Sequence, residues 1–489
     1  MSGPIVRGGA CAAVAAAALV GLAVAGWPAS GQSAYDCYGD TTGGFPEPRK
    51  ADTRLRFGVY PGGVAGQIAG GSAEAKPDDP ARILDALGRL RSDRAFAVHL
   101  YVEFTGTDDQ EQRVRAAEEL IERYTRAGYS VEYVLTYRPR ARRGAADVTD
   151  YVAFVRAMVA RLGPRLDALQ VTNEVNNSAS PDASDGAYPA ARDALVQGII
   201  AAKEEATARG LSELEIGFNW FYRLDPETEQ SFWSELKAKG GERFAAAVDW
   251  VGVDAYPGTF FPPGGLPRGD SLLNAVSVAR ECLMPIAGLG KKVPIHVTEN
   301  GWPTGAGRSY EEQELALREM VGALSEFRAN YGVTDYRWFD LRDADSSNPQ
   351  FQQQYGLMRD DYTPKPAFGA YADLVARLGA APAPGEPGEA GQPAAARPRI
   401  RVSVRPRRVR AGVRRRLTVR TRVRRDGRLR PLAGVRVRVA GRRVRTGRRG
   451  RARMVVRLRR PGVHRVRASK RGYRPGRARL RVQPRASHR

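Results

Sequence analysis

Between residues 55 and 378, eight short apolar runs alternate with amphipathic stretches of helical period, and no other feature constrains the fold as much. The runs cover 55–60, 95–104, 130–137, 166–172, 215–220, 248–254, 293–298 and 335–341. Two of the stretches between them open on helix-start signals. Thr107 with Gln110 fits a capping box before a face of Val114, Ala117, Ile121 and Tyr124. Ser309 with Glu312 fits a second, before Leu315, Met320 and Leu324. Eight strand–helix units in this length predict an α/β fold of the (β/α)8 TIM-barrel type. An open doubly wound sheet is the alternative. It usually carries a glycine-rich phosphate loop, and neither GxGxxG nor GxxxxGK[ST] follows any run.

The flanks read differently. Residues 1–34 have the pattern of a signal peptide: Arg7, an apolar run over 10–26, then Pro28 and small residues toward Ala34. An uncleaved anchor is the alternative, since that run is at the short limit for spanning a bilayer. Cleavage would remove Cys11 and leave Cys37 and Cys282, which either pair or stay free. A secreted, wall-associated location is therefore expected, with no stable membrane span after cleavage. The catalytic body is expected over 35–378. Residues 379–397 are almost wholly Ala, Pro, Gly and Glu, the composition of an extended linker.

From 398 to 489 the pattern changes to strict alternation. Val402 and Val404, then Leu417, Val419 and Val423, then Val435, Val437 and Val439 recur every second residue, as do Met454, Val456, Leu458, Ala478, Leu480 and Val482. Arginines occupy many intervening positions, which predicts a small all-β sandwich with an outer guanidinium face. Charge follows the same division. Residues 397–489 hold 37 Arg, Lys470 and a single acid, Asp426, a balance of +37, whereas residues 35–396 balance at −13. Only 9 of the chain's 78 basic residues are Lys, which a codon bias toward Arg would also produce. Such a module would bind polyanions at low salt. Export makes an anionic wall polymer the expected partner, with no nucleic acid.

In a barrel the reactive groups sit at the C-terminal ends of strands. The fourth run ends Val171-Thr172-Asn173-Glu174-Val175, and the seventh ends Val297-Thr298-Glu299-Asn300-Gly301-Trp302-Pro303. Two carboxyl groups across one mouth, one protonated and one ionised, suit glycosidic cleavage. No CxxC, HExxH or His cluster offers a metal-ligand set, so neither metal nor other cofactor is expected.

At these residues the chain resembles clan A of the glycoside hydrolases, retaining (β/α)8 enzymes with glutamates on strands four and seven. It is similar in particular to family 17, the β-1,3-glucanases, through NEV and E-x-GWP motifs. Val253–Pro257 (VDAYP) and 355–368 (YGLMRDDYTPKPAF) fit the same pattern. The tail, through 431–450 and Lys470-Arg471-Gly472-Tyr473, resembles bacterial Ig-like or carboxypeptidase-regulatory-like modules.

The resemblance implies roles. Glu174 would be the general acid/base and Glu299 the nucleophile, their carboxyls about 5–5.5 Å apart. Asn173 would bond the sugar 2-hydroxyl, and Tyr256 would donate to Glu299. Trp338 and Trp220 would be stacking platforms for sugar rings, with core or wall packing the alternative. Glu103, Asp254, Asp340, Asp343 and Asp345 also lie near strand ends, as site, rim or salt-bridge residues. His296 has the parity opposite to Glu299 and is expected to face the helices. Together these imply a secreted retaining β-glycoside hydrolase acting on a β-linked glucan or related polysaccharide. The alternative is an inactive cell-surface protein that only binds carbohydrate or polyanion.

Overall fold

Eight parallel strands close on themselves in chain order: β1 (Arg56–Val59), β2 (Phe96–Phe104), β3 (Ser130–Tyr137), β4 (Ala168–Val171), β5 (Glu215–Phe221), β6 (Trp250–Asp254), β7 (Ile295–Asn300) and β8 (Val333–Trp338). β8 pairs back onto β1, with Val59 opposite Trp338. This computed structural model describes residues 45–51, 53–63, 67–68, 71–72, 75–223, 225–260, 266–381, 400–425, 428–439, 442–458, 461–470 and 476–483. The expected signal, Cys11, Cys37, residues 382–397 of the linker and Arg471-Gly472-Tyr473 lie outside the described residues. Cys282 is disulfide-bonded.

One helix follows each strand: α1 (Pro80–Arg91), α2 (Gln110–Arg126), α3 (Ala145–Leu162), α4 (Ala191–Ala208), α5 (Pro226–Ala247), α6 (Arg268–Ser277), α7 (Tyr310–Tyr331) and α8 (Pro366–Leu378). Residues 56–378 thus form a (β/α)8 barrel. Its helices form for local reasons. In α1, Asp79 accepts from the N–H groups of Ala81 and Arg82, and Pro80 starts the helix. Ile83, Ala86, Leu87 and Leu90 then bury one face at helical spacing. Among the described residues no helix is long and apolar enough to cross a membrane.

Two helix starts differ in outcome. Ser309 and Glu312 make both bonds of the capping box, each 3.1 Å. However, Leu315 is 49% exposed. It lies two positions off the phase of Leu317, Met320, Val321 and Leu324, which make the buried face. At α2 the box does not form. Gln110 Oε1 instead accepts from Thr105 N–H at 2.8 Å, and the Thr107 hydroxyl donates to Asp109 at 2.5 Å.

The lower interior of the barrel is polar where aliphatic layers are usual. Arg337 Nη2 donates to Glu132 (3.0 Å) and to Asp335 (2.7 Å), and Arg56 reaches Asp335 at 2.5 Å. His296 belongs here too. It stacks on Trp250 with centroids 4.5 Å apart and brings Nε2 to 3.3 Å from Asp335. It therefore faces inward, not toward the helices. The pairing of β7 with β6 shifts register between Val297 and Glu299, and such an irregularity resets side-chain parity. Burial alone would push Glu132 and Asp335 up. Arg337 and the two histidines around Glu132, and His296, Arg56 and Arg337 around Asp335, instead hold both below the usual carboxylate range. Gly58 gives Arg337 its room: a Cβ there would stand 2.7 Å from Arg337 Cδ and 2.4 Å from Ala97 O.

A second compact unit begins at Glu389. Its strands are β9 (Arg401–Arg405), β10 (Arg408–Arg410), β11 (Arg414–Arg425), β12 (Arg428–Pro431), β13 (Arg436–Val439), β14 (Arg442–Arg445), β15 (Arg451–Arg457), β16 (Gly462–Ser469) and β17 (Gly476–Gln483). β9, β11, β12 and β15 form one sheet, and β10, β13, β14, β16 and β17 the other. Leu417, Val419, Val423, Val437, Val439, Val466 and Leu480 share one buried cluster. The strict alternation thus becomes a small β-sandwich, apolar inward and Arg outward.

Candidate active site

The C-terminal ends of β4 to β7 bring three carboxyl groups together. One oxygen from each of Glu174, Asp254 and Glu299 lies within 4.8 Å of the other two, and all three residues are buried. Glu174 sits in a turn just past β4. Thr172 and Glu174 have φ of 64° and 47°, left-handed values that cost non-glycine residues about 1 kcal/mol or more. Asp185 holds this turn. Its carboxylate accepts the N–H of Asn173 (2.8 Å) and of Tyr137 (2.6 Å), and Arg138 Nε at 3.2 Å. Asn219, on β5, accepts Glu174 N–H at 2.8 Å and donates to Asn173 Oδ1 (2.8 Å) and to Asp254.

The three carboxyls have unlike surroundings. Glu174 takes donors from Ser184 (2.5 Å) and Asn177 (3.3 Å). Burial, reinforced by the charge of Glu299, nevertheless pushes it up to about 8. Asp254 accepts from Thr298 at 2.6 Å. Burial, then Glu299 and Glu174, raise it well above the usual carboxylate range. Glu174 therefore keeps its proton at neutral pH. Glu299 accepts the phenol hydroxyls of Tyr256 (2.6 Å) and Tyr101. Burial first and Glu299 second raise both phenols well above their ordinary value, which keeps them donors.

Behind Tyr101 the chain of contacts continues inward. His99 Nε2 lies 2.9 Å from the Tyr101 hydroxyl, and His99 Nδ1 lies 2.6 Å from Glu132. The charged layer of the lower barrel thus reaches Glu299. Three oxygens this close could ligate a cation, yet each carboxyl already has hydrogen-bond donors from neighbouring side chains.

Glu174, Glu299, Asn173 and Tyr256 come together as expected; the two tryptophans do not. Trp220 is fully buried, donates to Glu229 and packs against Trp233 with centroids 6.3 Å apart. Trp338 is likewise fully buried. Each is one residue out of phase with an inward-facing neighbour, Asn219 and Arg337 respectively, so each turns to the helix side of its strand. Phe339 lines the mouth instead, within 5.5–6.3 Å of Tyr355, Tyr60 and Tyr256 by ring centroids. Phe260 extends this cluster and is 46% exposed.

The other strand-end acids divide. Glu103 pairs with Arg113 and Arg138, Asp345 with Lys76, and Asp343 with buried Lys365. Asp340 is buried. Only Asp254 joins the site. Asn219, Tyr101 and Ser184 went unforeseen. The available signal was a polar residue inside each of two apolar runs, Asn219 and His99.

No family model matches the chain, and no curated protein does. Solved structures resemble it at low identity. Bacteroides uniformis β-glucuronidase 2, as a calcium-binding mutant, matches 87% of this chain at 13% identity and a TM-score of 0.44. This chain spans only 45% of that protein's length. The β-glycosidase of Thermosphaera aggregans matches 68% of this chain and 98% of its own, at 13% identity and 0.47. A family 39 glycoside hydrolase from Bacteroides cellulosilyticus matches 84% and 81%, at 13% and 0.47. Similarities this weak leave the chemistry to be argued from the side chains of the mouth.

Proposed function

We propose that the barrel is a retaining β-glycoside hydrolase acting on a β-linked glucan or related polysaccharide, exported and held at the cell wall. The observation that carries this is the Glu174–Glu299 pair: oxygens within 4.8 Å, one carboxyl protonated at neutral pH, the other flanked by two phenol donors. Inverting enzymes need about 6.5–9.5 Å between carboxyls to admit a water, whereas retaining ones need about 5–5.5 Å.

In the proposed reaction, Glu299 attacks the anomeric carbon as Glu174 gives its proton to the departing glycosidic oxygen. A covalent glycosyl ester on Glu299 results. Glu174, now a carboxylate, takes a proton from water, which attacks the anomeric carbon and releases Glu299. Asn173 is positioned for the 2-hydroxyl. Its Oδ1 is held by Asn219 and Gln170 and its Nδ2 donates to Ala183 O, which leaves one N–H for substrate. Phe339 takes the platform role first expected of Trp338. The Arg-rich unit is proposed to anchor the enzyme on an anionic wall polymer.

The test is a panel of β-glucans, xylan, mannan and aryl β-glycosides, with wild type and Glu299→Ala side by side. Turnover of at least one β-glycoside that vanishes in the variant supports the proposal. No turnover of any substrate would favour an inactive carbohydrate-binding barrel.

A further inference from the structure

The outer face of the first sandwich sheet carries positive charge that no acid among the described residues of this unit balances. Pairing places Arg401 opposite Arg422, Ser403 opposite Arg420 and Arg405 opposite Thr418. On the other side of β11, Arg420 lies opposite Arg451 and Thr418 opposite Arg453. These positions recur about every 4.8 Å across the strands and about 6.8 Å along them. Arg401, Arg405, Arg422, Arg451 and Arg453 are exposed, and with Arg420 they line a concavity of about 470 Å³.

Residues 397–489 contain one acid, so the unit has almost nothing to neutralise them. Arg451, with Arg405 and Arg422, presses Arg420 below the ordinary arginine value, the direction expected of crowded like charges. Among the described residues of this unit, the large aliphatic side chains that are exposed, Leu429 and Val455, lie on the same sheet. Hydroxyls of Ser403 and Thr418 stand between the arginines.

We propose that this face is a binding site for a linear anionic polysaccharide, its carboxylate or phosphate groups taken by the guanidinium rows and its sugar units by the intervening hydroxyls and aliphatic groups. Planar guanidinium forks bind either anion through paired N–H groups. Nucleic acid fits less well. Tyr473 is the only Phe, Tyr or Trp after 397, so bases would have few rings to stack on. The choice of a glycan also rests on the hydrolase proposed for the barrel.

The full-length protein should be titrated at about 0.15 M salt with polygalacturonate, with poly(glycerol phosphate), with neutral dextran and with duplex DNA. Two variants each remove four charges: Arg401, Arg420, Arg422 and Arg451→Ser on this sheet, and Arg436, Arg438, Arg467 and Arg481→Ser on the other. The first should weaken binding to the anionic polymers by about tenfold or more and flatten the salt dependence. The second should weaken it less than about threefold, and dextran should not bind. The tighter of the two anionic polymers identifies the charged group.

Equal loss in both variants would show attraction to net charge alone and overturn the site. Tighter binding of DNA than of either anionic polymer would overturn the ligand class. If the fourfold variant melts early, the pair Arg420→Ser and Arg420→Lys replaces it, with only the Ser change expected to weaken binding. Binding is read without turnover, so failure here is separable from failure of the hydrolase.

Discussion

Glu174 and Glu299 are the same residue type a few ångströms apart, and their neighbours separate their roles. With Glu174 pushed up to about 8, kcat/KM for substrates with poor leaving groups should hold to about pH 7 and fall as pH rises through 8, when the acid loses its proton. Glu174→Ala should spare the first step for aryl glycosides with good leaving groups, and azide should restore turnover as a β-glycosyl azide, detectable by mass spectrometry. Identical behaviour of Glu174→Ala and Glu299→Ala across leaving groups would show the roles misassigned. Tyr101→Phe removes one of the two donors to Glu299. A hydrogen bond to a charged group contributes about 1.5–3 kcal/mol, so kcat should fall on the order of 10- to 100-fold in steady-state assays with folding intact. These residues show what sequence can convey. The two glutamates stood out through their motifs, while Tyr101 reaches Glu299 across the barrel from β2 to β7 and Asn219 bonds residues at the ends of β4 and β6, contacts that no motif records.

At the scale of the element, period and spacing conveyed all eight barrel strands, because apolar runs of that length between amphipathic helices have few other solutions. What failed was phase. One register shift in β7 turned His296 inward, and a single residue of parity separates Trp338 from inward-facing Arg337. The charged layer so formed should be costly to break. Arg337→Met leaves Glu132 and Asp335 buried with fewer partners and should destabilise the barrel by about 3–5 kcal/mol at pH 7 in denaturant melts. The sign with pH follows. Both acids are held below their ordinary values, so the stability they contribute is present above about pH 4 and lost as pH falls through their folded values. The gap between wild type and Arg337→Met should accordingly narrow below pH 4. A gap independent of pH would mean that packing, not charge, sets the loss.

For the whole molecule, each unit has its own buried core, so each should act without the other. A chain cut near Gly385 should keep its specific activity on soluble substrate and lose its hold on anionic wall material at low salt. Loss of soluble activity in that assay would show that the sandwich helps complete the mouth. The central claim concerns the chemistry of the barrel, and proton NMR of the first-formed sugar tests it most directly. Full-length enzyme is mixed with its preferred β-glycoside, and spectra are taken before mutarotation. Double displacement through Glu299 predicts the β-anomer first, relaxing later to the equilibrium mixture. An α-anomer appearing first would contradict the assignment of Glu174 and Glu299.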